Sequence, residues 1–122
     1  MGRHTILLVE DEPAVRNLVA ATLKTEGYRL LLASSAEEAL RVAAGHPGPI
    51  DLLLTDAVMP GKSGIELANA LVAARPGLPV IVMSGYTRES LEVTGLSQAV
   101  VLVHKPFTPS ELRQRIRQVL NR

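Results

Sequence analysis

Four short aliphatic runs deliver polar side chains at their carboxyl ends. Thr5–Glu10 runs into Glu10, Asp11 and Glu12, and Ile50–Thr55 runs into Asp56. Val80–Ser84 closes on Ser84, and Val100–His104 leads into Lys105. Three carboxylates gathered within a few ångströms repel one another unless a cation lies among them. A ligand set of oxygens alone, with no histidine or cysteine beside it, suits Mg2+, a hard ion that keeps waters and grips phosphoryl oxygens. A hydroxyl and an ammonium on the other side would complete a cradle for a phosphoryl group. Taken singly, an acid or serine after a strand is commonly a loop or cap residue, and Lys-Pro is commonly a turn. All four together, each at the carboxyl end of a strand, make a site.

That convergence depends on the elements. The apolar residues of the four runs, and of a fifth at Arg29–Ala33, are continuous rather than alternating. Strands of that kind are covered on both faces, as in a parallel sheet. Helical stripes lie between them. Val15, Leu18, Val19, Thr22 and Leu23 make the first, with Pro13 at its first turn and Gly27 as its stop. Ala36, Ala39, Leu40 and Ala43 make the second, behind a capping box of Ser35 and Glu38, and Gly45 ends it. Leu67, Ala70, Leu71 and Ala74 make the third, behind Ser63 and Glu66 and before Pro76-Gly77. A short helix is expected over Thr87–Thr94. The last helix opens on Thr108, Pro109 and Glu111 and carries Leu112, Ile116, Val119 and Leu120. Alternation of five strands with five helices predicts an α/β, doubly wound, flavodoxin-like parallel sheet in the order 2-1-3-4-5. The acids after the first and third strands then face each other across the switch point, where ligands bind.

Composition narrows the function. The 122 residues suit one domain, taken as 1–122, and 47% hydrophobic against 20% charged residues argues for a packed core. No cysteine is present, so disulfides and cysteine-ligated metals are excluded. No apolar run approaches the length of a membrane span, and no signal peptide is read at the start, so a soluble cytoplasmic protein is expected, with no membrane partner. Two tyrosines, one phenylalanine and no tryptophan leave little for base stacking. The basic last segment carries Arg113 and Arg117 on one face, a patch too small for duplex DNA, so no nucleic acid is expected. Pro60-Gly61-Lys62-Ser63 is not a P-loop, because Asp56 occupies the position of its first glycine. Val82 and Tyr86 spoil a nucleophile elbow around Ser84, and His4, His46 and His104 have no metal spacing.

Val9-Glu10-Asp11-Glu12, Asp56-Ala57-Val58-Met59-Pro60-Gly61, Gly64, Leu67, Met83-Ser84-Gly85 and Lys105-Pro106-Phe107 together resemble the receiver domain of two-component response regulators. The resemblance covers essentially the whole chain, and its tetrapeptide Met83–Tyr86 is similar to receivers attached to hybrid histidine kinases. It implies that Asp56 is the phosphoacceptor in a phosphorelay. It implies Mg2+ bound by Asp11 directly, by Glu10 through water, by Asp56 and by the main-chain carbonyl of Val58. Ser84 would bond a phosphoryl oxygen and Lys105 would pair with the phosphoryl group. The donor would be a histidine kinase or a histidine phosphotransfer protein. The output would be a partner or an attached domain on the face of the last strand and last helix. The resemblance, with the sharp turn that must aim Lys105 back at the site, also predicts a cis Lys105–Pro106 peptide.

Departures matter too. Leu102 stands where the family commonly has an aromatic residue, and Val58 and Tyr86 are placed to hinder water at an acyl phosphate. A Mg2+-dependent phosphohydrolase with Asp56 as nucleophile is the competing enzyme, but Val58 occupies the place of its second acid. A flavodoxin-like cofactor carrier would need aromatic stacking and a phosphate loop, and neither is visible. The reading is therefore a phosphorylation-regulated signalling domain and not an enzyme.

Overall fold

A computed structural model describes residues 3–121. Five strands and five helices alternate: β1 Thr5–Val9, α1 Pro13–Thr25, β2 Arg29–Ala33, α2 Ala36–Gly45, β3 Leu52–Asp56, α3 Gly64–Ala74, β4 Val80–Ser84, α4 Arg88–Glu92, β5 Val101–His104 and α5 Pro109–Leu120. The sheet is parallel throughout, in the order β2-β1-β3-β4-β5. Every residue of β1, β3 and β4 is buried, whereas the edges β2 and β5 are partly exposed. Continuous hydrophobicity in the central strands is the direct consequence of cover on both faces.

Side chains alternate across the sheet, so each strand feeds two cores. Leu7, Val9, Leu53 and Val82 pack towards α2, α3 and α4. Ile6, Leu8, Leu54 and Met83 pack towards α1 and α5. Each fully buried aliphatic side chain contributes about 1.5–3 kcal/mol. That is the reservoir from which the fold holds polar strand ends in place.

Several local expectations shift. β3 starts at Leu52: the Asp51 amide still donates to the Thr5 carbonyl at 2.8 Å, but the Asp51 side-chain carboxylate takes the Thr5 amide at 2.7 Å in place of a further strand carbonyl. Asp56 is accordingly the last residue of β3 rather than the first beyond it. The α1 stripe is Val19, Ala20 and Leu23, and Leu18 is 63% exposed. The helix turns Ala20 to the core, and Leu18, two residues earlier, is carried to the solvent side. In α3, Gly64, Ile65, Leu67, Ala68 and Leu71 are buried, whereas Ala70 and Ala74 face solvent. The α2 box is half made: Ser35 accepts from the Glu38 amide at 3.1 Å, but the Glu38 carboxylate accepts from the Ser34 amide and hydroxyl instead. Those bonds hold Glu38 below its ordinary pKa. The boxes of α3 and α5 are complete. α4 is one residue past a turn, with Thr87 as its cap. On α5, Arg117 is paired with Glu26, the residue that follows α1, so half of the basic pair seals the α1–α5 seam.

One clamp was invisible in the sequence. Arg75, at the end of α3, donates to the carbonyls of Ala43, His46 and Gly48 at 2.9, 3.1 and 3.2 Å. It closes the carboxyl end of α2 and the His46–Pro49 loop, where helix carbonyls lack partners. Arg75→Ala is expected to lower unfolding free energy by about 2 kcal/mol, the size of charge-assisted bonds lost. Urea denaturation checks it; a loss indistinguishable from zero would show that water replaces the guanidinium at no cost.

Candidate functional site

The site lies where β1, β3 and β5 end. Glu10 follows β1 and is 1% exposed; its amide continues the ladder to the Ala33 carbonyl at 3.1 Å. Asp11 is partly exposed on the next step. Asp56 ends β3, and the Ala57 amide donates to the Met83 carbonyl at 2.9 Å, so β4 fixes the chain just past it. Ligand oxygens of Glu10, Asp11 and Asp56 lie within 4.8 Å of one another. On the far side, the Lys105 amide donates to the Ser84 carbonyl at 2.7 Å, and the Lys105 ammonium reaches Asp56 Oδ1 at 3.0 Å. The Lys105–Pro106 peptide is cis.

The three acids are packed at a cost. Two unit charges about 4 Å apart repel by about 4 kcal/mol at an effective dielectric of about 20. Glu10 shows the result: burial, and then the charge of Asp56, push its carboxyl from 4.5 up to about 7, with Lys105 acting in the opposite direction. Its Oε2 is buried and has no hydrogen-bond partner among the described residues. An orphaned buried carboxylate oxygen, beside two further carboxylates and no nitrogen or sulfur donor, fits a hard divalent cation such as Mg2+.

Ser84 is also in place. It ends β4 and is 2% exposed, with its Oγ accepting from the Tyr86 amide at 2.8 Å. Its hydroxyl is engaged with its own loop rather than with the acids. Val58, on the loop from β3 to α3, turns its side chain to solvent, as does Tyr86. Two contributors, Thr55 and Arg16, carry no sequence motif, and a third, Gly64, has a reason that its motif does not show. Thr55 donates its buried hydroxyl to the Asp56 carbonyl at 3.0 Å; its only signal is one polar residue among the leucines of β3. Arg16 donates to the Glu10 carbonyl at 2.8 Å. Gly64 was noted as part of a motif, but its reason is steric. A Cβ there would lie 1.8 Å from the Asp56 carbonyl oxygen and 3.0 Å from Thr55 Oγ1, so α3 can start against β3 only with glycine.

With this geometry the comparisons with known proteins agree. The sequence model of the response regulator receiver domain matches residues 6–117. The chain is 36% identical over 125 residues to the phosphate regulon transcriptional regulatory protein PhoB of Pseudomonas aeruginosa, covering 100% of this chain and 54% of that protein. It spans about half the length of the first curated relatives it matches. Among solved structures, the receiver domain of the hybrid histidine kinase CckA superposes with a TM-score of 0.81 at 37% identity, over 95% of this chain and 98% of that one. The response regulator TrrA of Thermotoga maritima, solved in complex with Mg2+–BeF, gives 0.83 at 32% identity, over 96% and 99%. The chain belongs to the response regulator receiver domain family of two-component signalling. That is a family of signalling domains rather than of enzymes with a turned-over substrate.

Two outcomes follow from the site's construction. In EDTA, Glu10 binds its proton more tightly folded than unfolded, so its contribution to stability is full below about pH 4.5 and is lost as pH rises towards about 7. The melting temperature should therefore fall between about pH 5.5 and about pH 8, and Glu10→Gln should flatten that fall and melt higher than wild type at the upper end. Parallel curves for the two proteins would remove Glu10 as the cause. Gly64→Ala should destabilise by at least about 2 kcal/mol, because α3 or the Asp56 carbonyl must move. An unchanged denaturation midpoint would show that the approach is not obligatory.

Proposed function

We propose that Asp56 accepts a phosphoryl group from a phosphohistidine on a histidine kinase or histidine phosphotransfer protein. The domain, taken as residues 1–122 and cytoplasmic like such donors, then signals to an output partner or attached domain. The observation that carries this reading is the Lys105 ammonium 3.0 Å from an Asp56 carboxylate whose side chain is only 11% exposed, with Glu10 and Asp11 against the same group.

In the transfer, a carboxylate oxygen of Asp56 forms the bond to phosphorus as the P–N bond to the donor imidazole breaks, and the bonding pair returns to the imidazole nitrogen. A carboxylate needs no general base for this step, so positioning and charge neutralisation supply most of the catalysis. Mg2+, held by Glu10, Asp11, Asp56 and the Val58 carbonyl, would supply positive charge against the phosphoryl oxygens. The TrrA structure with Mg2+–BeF supports that choice of ion. Lys105 moves its ammonium from Oδ1 onto a phosphoryl oxygen. The Ser84 hydroxyl has a proton to donate there, and turning to do so disturbs its bond from the Tyr86 amide.

The disturbance has a route outward. Tyr86 adjoins Thr87, the cap of α4, and Arg88 of α4 donates to the Val100 carbonyl, which leads into β5, at 2.5 Å. Leu102, partly buried against the α2–α4 core, has neither ring nor hydroxyl. Coupling to the β5–α5 face is therefore assigned to the Ser84 loop and α4 rather than to an inward-swinging aromatic.

Incubation with acetyl phosphate or beryllofluoride plus Mg2+ tests both parts. Intact mass should show one phosphoryl group on wild type and none on Asp56→Asn; equal modification of the variant would sink the assignment, and continuous phosphate release would mark a phosphohydrolase instead. In amide spectra, Ser84→Ala should largely uncouple modification from shifts in β5 and α5, at a cost of about 1.5–3 kcal/mol in the switch. Leu102→Ala should leave much of the coupling intact. The reverse order would refute the route.

A further inference from the structure

We propose that Arg16 is a positioning residue for the acidic site, setting the peptide plane from which Glu10 and Asp11 both project. The inference rests on the cation reading above and adds a residue that reading does not use.

Arg16 stands one turn into α1 and is partly buried. Its Nη1 donates to the Glu10 carbonyl at 2.8 Å. That carbonyl is a strand acceptor whose donor has gone. In a parallel ladder a residue's N–H and C=O face the same neighbour, and the Glu10 amide is bonded to Ala33 of β2 at 3.1 Å. The next donor in the ladder would be two residues beyond Ala33, at Ser35. There the chain has already turned: Ser35 is the cap of α2, and the Ser34 amide is given to Glu38 at 2.5 Å. The guanidinium fills the missing rung.

The carbonyl it holds belongs to the peptide joining Glu10 to Asp11. With the amide of Glu10 fixed by Ala33 and its carbonyl by Arg16, both sides of Glu10 are pinned, and the direction in which each carboxylate leaves the chain is settled. Groups that orient metal ligands without touching the ion commonly govern affinity in this way.

Charge and geometry predict opposite signs. As a nearby cation, Arg16 opposes Mg2+, so on electrostatics alone its removal would tighten binding. As a positioning residue, its removal loosens binding. Calorimetric titration of Mg2+ into wild type, Arg16→Met and Arg16→Lys, each first shown folded in EDTA by circular dichroism, separates the two. Arg16→Met should weaken Mg2+ by about tenfold, and Arg16→Lys, with its charge and one donor, should lie between. The Glu10 carbonyl 13C shift should move in the same order.

Mg2+ binding by Arg16→Met that matches or exceeds wild type overturns the proposal. If Arg16→Met does not fold, Arg16→Lys decides: a fall in affinity supports the proposal, and wild-type or tighter affinity overturns it. Absence of Mg2+ binding by wild type would instead remove the cation reading, and this inference with it.

Discussion

Mutual repulsion of three carboxylates at the ends of two adjacent parallel strands is the constraint around which this domain is arranged. A parallel register places the ends of β1 and β3 side by side, and the sequence puts an acid at each. Nothing about Glu10, Asp11 and Asp56 would bring them together spontaneously; the aliphatic strands behind them do. One pairwise repulsion of about 4 kcal/mol is matched by about two fully buried aliphatic side chains. The residues of β1 and β3 are all buried. The site is stored strain of an electrostatic kind, and Lys105 relieves part of it through Asp56.

Neutralising such a cluster needs little motion but accurate placement, and the fold supplies placement mostly through main-chain atoms. Ser84 holds the amide of Lys105, Met83 holds that of Ala57, and Ala33 holds that of Glu10. Thr55 and Gly64 crowd the Asp56 carbonyl from two sides. The side chains of the site are thus hung from a backbone pinned at each strand end. Past β4, the Ser84 hydroxyl accepts from the Tyr86 amide, Thr87 caps the five-residue α4, and Arg88 ties that helix to the Val100 carbonyl.

The strand order, the acids and Lys105 could be read from the sequence because each is set by a pattern: continuous apolar runs, helix punctuation, and polar residues at the runs' carboxyl ends. The helix phases were harder. Leu18 and Ala20 are both apolar, and their types alone do not say that the helix turns the alanine inward. Ser35 and Glu38 have the spacing of a capping box, yet Glu38 found a second pair of donors on Ser34. Arg16 and Arg75 were out of reach for a different reason. Their partners are main-chain carbonyls, which every residue carries, so no pairing of residue types announces them.

An acidic cluster built this way should destabilise the domain when bare and be relieved by a divalent cation. Thermal unfolding of wild type and of Asp56→Asn, each in EDTA and in millimolar Mg2+ above neutral pH, measures this directly. Mg2+ should raise the wild-type midpoint, and Asp56→Asn should melt higher than wild type in EDTA and gain less from Mg2+. A wild-type midpoint that Mg2+ leaves unchanged, with the variant melting no higher in EDTA, would contradict this.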